Sequence, residues 1–141
     1  MFALTGQPRA RNPGPRLLSL AAGVMGVLLA FGAQAQEFRL LMIEQHGCYY
    51  CRVFNRDIAP AYEKSDLGAI APLESAQLRG DLPEGVSLAS PPVVTPTFIL
   101  LDAGGQEIER LTGFPGEDFF WPYVTDMLTK AQSEKGQTGG G

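Results

Sequence analysis

The chain has 141 residues, 45% of them hydrophobic, and its 11 Lys and Arg against 15 Asp and Glu give a formal net charge of −4 at pH 7. Its clustered bases, Arg9, Arg11 and Arg16, all lie near the start, and the acidic remainder has no basic run to form a footprint for nucleic acid or an anionic membrane. The length suits one small domain.

Residues 1–16 hold those arginines and no acid, Leu17–Phe31 is a short apolar stretch, and Ala33-Gln34-Ala35 has the small-x-small pattern of a cleavage site. This order predicts a cleaved secretory signal peptide over residues 1–35, because the apolar run is short for a bilayer. Retention as an N-terminal anchor is the competing reading. No cysteine in this stretch offers a site for lipid attachment. Cleavage leaves 106 residues from Gln36, with eight basic and 15 acidic side chains and a net charge of −7. The chain would then work in a compartment where disulfides persist.

Phe38–Ile43 reads as a buried strand, and Arg52–Ala61 as a helix that kinks or ends near Pro60. Between them stands His46-Gly47-Cys48-Tyr49-Tyr50-Cys51, which holds both cysteines of the chain. Leu73–Leu78 is a second strand with weak alternation, and residues 80–92 form a Pro/Gly-rich connection with at most a short helix. Thr97–Leu101 is the clearest strand. Ala103–Gln106 turns into Glu107–Thr112, whose charges at Glu107, Glu109 and Arg110 suit a guarded sheet edge. A last helix starts near Gly116-Glu117-Asp118, with Phe119, Phe120, Tyr123, Val124, Met127 and Leu128 at core spacing, Trp121 at the surface, and a kink or restart at Pro122. Residues 133–141 are expected to be a flexible tail.

A Cys-x-x-Cys where a strand hands over to a helix puts two sulfurs on the first turn. The first lies beside unpaired N–H groups and the positive end of the helix dipole, which favour its thiolate. Thiol–disulfide exchange is therefore the leading reading. Half of a zinc site is an alternative, although only His46 offers an obvious third ligand. A structural disulfide is another, although so short a loop removes little unfolded-state entropy. His46 can serve as a proton relay or be an exposed loop residue. Of Tyr49 and Tyr50, one is expected to shape an apolar partner surface and the other to pack on the domain. Arg52 and Arg56 share one helix face, which is expected to be solvated.

The order βαβ–connection–ββα, with the dithiol after the first strand and Val94-Thr95-Pro96-Thr97 before the best one, resembles the thioredoxin superfamily over Glu37 to Lys130. The resemblance implies an α/β fold with a central mixed sheet flanked by helices and a shortened N-terminal part, in a domain spanning residues 36–132. It also implies that Cys48 is the nucleophile, Cys51 the resolving thiol and Pro96 a cis-proline, with the Thr95 backbone hydrogen-bonding a substrate segment. Four positions depart from the family pattern: Gly47 replaces a tryptophan, Met42 a buried acid, and Tyr49-Tyr50 the Gly-Pro pair. With Met42 in place of the acid, Glu44 and His46 are the nearby candidates for proton transfer to Cys51.

More narrowly, Glu44–Cys51, Thr95-Pro96-Thr97-Phe98 and Gly113–Trp121 resemble the periplasmic thioredoxins of bacterial sulfur-oxidation systems. This implies a periplasmic reductase that restores the thiol of a SoxYZ-like sulfur carrier. Its electrons would come from a membrane thiol transporter of the CcdA/SoxV type, and it would need no organic cofactor or metal. A disulfide oxidase or isomerase for secreted proteins, or a Cys-x-x-Cys metal-binding module, are the alternatives.

Overall fold

Strand β1, Phe38–Glu44, is the inner strand that organises the fold in the computed structural model, which describes residues 36–138. It pairs in parallel with β2, Leu73–Gln77, and antiparallel with β3, Thr97–Asp102. β4, Glu107–Thr112, completes a mixed sheet of order β2-β1-β3-β4. The expected signal peptide and the last three residues of the expected tail lie outside the described residues.

Leu40, Leu41, Met42 and Ile43 are all fully buried, which is why β1 reads as a continuous apolar run. Phe38, Leu40 and Met42 join the larger core with Phe54, Phe98, Phe120, Val124 and Met127. Leu41 and Ile43 pack on the other face with Ile99 and Leu101, against Leu78 just after β2 and Val86 and Leu88 of the connection. Residues 80–92 contain no helix; they are held by a parallel bridge from Ser87 to Gln106. At Gly105, with φ of +80°, an added Cβ would sit 2.2 Å from the Gly85 carbonyl oxygen, so only glycine lets the two turns meet. Charge also fastens the connection to edge strand β4. Arg110 donates to Glu107 at 2.6 Å and to the Ser90 carbonyl at 2.8 Å, and the Glu107 carboxylate accepts from the Ala89 N–H at 2.8 Å. The Arg110 hydrogen bond holds the Glu107 carboxyl below its ordinary range.

The first helix, α1, runs from Tyr49 to Asp57, three residues earlier than the sequence pattern suggested. It stops at Ile58, and Pro60 occupies the first turn of a new helix, α2, Ala59–Tyr62, where its missing N–H costs nothing. A further helix, α3, Asp66–Ile70, was not anticipated; Ser65 caps it by accepting from the Gly68 N–H at 3.1 Å. The last helix, α4, Glu117–Thr138, is continuous through Pro122 and extends into the segment expected to be a tail.

Two assignments in α4 are corrected. Phe119 is 68% and Tyr123 44% exposed, so neither belongs to the core, whereas Trp121 is half-buried with its ring stacked on Tyr62. Phe119-Phe120-Trp121-Pro122-Tyr123 is apolar on every side of the helix, so periodicity alone could not select the inward face.

Tyr62 is fully buried, and its hydroxyl donates to the Ala71 carbonyl at 2.7 Å. Burial raises its phenol pKa above the ordinary 10.0. The folded state therefore retains this proton where the unfolded chain releases it, so the contribution is complete below pH 10 and declines as pH rises further. Tyr62→Phe is expected to lose about 1 kcal/mol near neutral pH through the missing hydrogen bond. The gap between wild type and variant should narrow in alkaline denaturation series; a constant gap would contradict this account.

Candidate active site

β1 delivers the chain to the site. After Glu44 the backbone turns through Gln45 and His46, and the Cys48 N–H donates to the Gln45 carbonyl at 3.2 Å. Gly47 has φ of +80°, a conformation that a tryptophan would adopt only with strain, which accounts for the departure at that position. Cys48 is the N-cap of α1, and its sulfur accepts from the Cys51 N–H at 3.1 Å.

Cys48 and Cys51 form a disulfide with an S–S distance of 2.08 Å and a Cα–Cα distance of 5.3 Å. The two sulfurs differ in surroundings: Cys48 is half-buried, while Cys51 is 2% exposed in the main core. On reduction, Cys48 is the thiol at the positive end of α1 with access to a partner.

Glu44, His46, Cys48 and Cys51 line one cleft of about 210 Å³, so the structure brings these four predicted residues together. His46 is exposed in the loop. The cleft also contains Arg52, from the helix face expected to be solvated, and Gln45, Asn55 and Gln77, which spacing along the sequence did not single out. Asn55 Nδ2 donates to Glu44 Oε2 at 2.9 Å, a contact between residues eleven apart. Register could have pointed to Gln77, because it sits opposite Glu44 on the parallel neighbour of β1.

The Thr95–Pro96 bond is cis. Thr97 pairs with Ile43, which puts Thr95 and Pro96 at the end of the sheet where β1 gives way to the dithiol. The Thr97 hydroxyl donates to the Val94 carbonyl at 2.8 Å, and the Gly113 N–H donates to the Pro96 carbonyl at 2.8 Å.

Tyr49 and Tyr50 correct the expected division of labour. They are 63% and 57% exposed and meet each other edge to face at 5.3 Å, so neither packs on the domain. Arg52 and Arg56 are exposed as expected; Arg52 lies 5.9 Å from the Tyr49 ring centre, and Arg56 pairs with Asp57. Among the described residues, no group of three or more His, Cys, Asp and Glu side chains is arranged to hold a metal ion.

The solved structure of the periplasmic thioredoxin SoxS from Paracoccus pantotrophus, in its reduced form, matches this fold with a TM-score of 0.65. The two sequences are 48% identical, and the match covers 67% of this chain and 99% of that one. No family model and no curated protein matches the sequence.

Proposed function

The chain belongs to the thioredoxin superfamily and, within it, to the SoxS thioredoxins; from that premise we propose that it is a periplasmic reductase of a sulfur-carrier protein. It is a thiol–disulfide oxidoreductase, and its redox centre is the Cys48–Cys51 pair. The inequality of the two sulfurs carries the exchange mechanism, since one caps a helix within reach of a partner and the other is shielded below it; the likeness to SoxS supports the carrier as substrate.

In the forward reaction the Cys48 thiolate attacks a sulfur of the partner's disulfide, and the other partner sulfur leaves as a thiolate. Cys51 then loses its proton and attacks the Cys48 sulfur. The mixed disulfide breaks, the partner departs with both sulfurs reduced, and the Cys48–Cys51 disulfide remains. Two electrons have passed to the partner without an organic cofactor or metal. Tyr49 and Tyr50 provide the apolar contact, and Thr95, held by the cis bond to Pro96, presents its backbone to the incoming segment. Glu44 takes the Cys51 proton, and His46 stands at the rim. The substrate is a SoxYZ-like carrier, and a membrane thiol transporter of the CcdA/SoxV type restores the dithiol. Export follows from the leader expected over residues 1–35.

Equilibration with a glutathione redox buffer tests the direction. A reductase should have a potential near the thioredoxin value of about −270 mV, whereas one near about −120 mV would make the protein an oxidant.

A further inference from the structure

Cys51 is shielded from bulk solvent, yet it must lose a proton each time it resolves a mixed disulfide. The core beside it is apolar: position 42, on the same face of β1, is the fully buried Met42. The carboxylate in the cleft lies two residues further along β1, at Glu44. A glutamate at the end of a strand has a long, rotatable side chain, and nothing in β1 itself would keep it in the cleft. Asn55 supplies the constraint. It lies one turn beyond Cys51 on α1, so the two residues share a helix face. Its amide donates to Glu44 Oε2 at 2.9 Å, joining β1 to α1 across the cleft.

We propose that Asn55 is a positioning residue that holds the Glu44 carboxylate in the cleft as proton acceptor for Cys51. The inference rests on the dithiol reading above and deepens it. One oxygen of Glu44 is committed to Asn55, and the other is free to receive the proton. The volume of about 210 Å³ admits several waters, at about 30 Å³ each, to carry it. The thiol proton passes to Glu44, the Cys51 thiolate attacks the Cys48 sulfur, and the partner sulfur leaves with the electron pair. The other charged groups facing this cleft are His46 from the loop and Arg52 from α1, with Arg79 on the adjoining wall beside His46 and Gln77. Neither arginine can accept a proton at working pH.

The two chemical steps can be separated by mixing the reduced protein rapidly with an aromatic disulfide that releases a coloured thiolate. The first phase reports attack by Cys48; the second reports resolution by Cys51. Glu44→Gln and Asn55→Ala should each slow the second phase about a hundredfold, at the low end of a lost acid–base contribution. Each should leave the first phase within twofold and shift the pH profile of the second phase to higher pH. The double variant should be no slower than Glu44→Gln alone, because the residues act as one unit. Asn55→Leu, similar in size but unable to donate a hydrogen bond, should match Asn55→Ala.

A merely structural tether predicts a different pattern, because Glu44→Gln keeps the size and hydrogen-bonding capacity of the side chain. An unchanged second phase in Glu44→Gln, or equal slowing of both phases in Asn55→Ala, would overturn the proposal. Release of two coloured equivalents by the wild type supports the dithiol reading independently; their absence would count against that reading instead.

Discussion

Replacing Cys51 with serine is expected to arrest the reaction halfway, with the protein held to its partner through Cys48. The expectation follows from the burial difference: Cys48 caps α1 where a partner sulfur can approach, whereas Cys51 is 2% exposed and meets only the bond that Cys48 has made. Serine at position 51 leaves the attack intact and removes the group that ends it. A mixed disulfide should therefore accumulate in cells expressing Cys51→Ser. Cys48→Ser should yield none, with turnover falling to the level without protein, since a serine hydroxyl is not ionised near neutral pH. Mass spectrometry of the trapped species identifies the partner. A cysteine-bearing sulfur carrier supports the reductase proposal, whereas many unrelated secreted proteins would support an oxidase or isomerase. An adduct through Cys51 in the Cys48 variant would reverse the assigned roles.

The largest stability effect is expected from Phe120→Ala. This ring is fully buried and meets Phe54 at 4.9 Å, Phe98 at 5.1 Å, Trp121 at 5.7 Å, Tyr62 at 6.1 Å and Phe114 at 6.3 Å. It thus links α4 to α1, α2, β3 and the Phe114 loop. Removing it loses apolar transfer energy and opens a cavity among groups too constrained to close it, at a cost of about 4 kcal/mol. That is a large share of the about 5–15 kcal/mol that holds a domain folded. Phe119→Ala, one residue away on the exposed side, is expected to cost no more than about 0.5 kcal/mol. Urea denaturation of the two variants makes the comparison; a loss below about 1 kcal/mol for Phe120→Ala would show that the aromatic cluster repacks freely.

The two inner strands were legible because burial on both faces leaves a plain trace: Leu40-Leu41-Met42-Ile43 and Phe98-Ile99-Leu100-Leu101 are apolar without alternation. The dithiol was legible because its chemistry needs only local spacing. The start of α1 was not, since a sulfur serves as its cap and Tyr49-Tyr50 carry no inward periodicity. Helix α3 is five residues long and rests on Ser65 and a close approach of Gly68 to Tyr62, a signal too short to stand out. Asn55 was hidden for another reason. Its role depends on a strand end and a helix turn meeting across the cleft, and spacing along α1 does not reveal what lies opposite.

Both ends of the described chain leave from the same pole. Lys135, near the end of α4, pairs with Glu37 at 3.3 Å and lies 5.3 Å from the centre of the Phe38 ring, just ahead of and within the first residues of β1. The dithiol stands beyond the other end of that strand, whose seven residues at about 3.3 Å each span about 20 Å. A linker joined before Gln36 or after Thr138 would therefore grip the domain by its back. Such a molecule, immobilised on a resin or fused to a second module, would keep its reactive sulfur pointed outward, and a peptide bridge between the two ends would need to cover only a short gap.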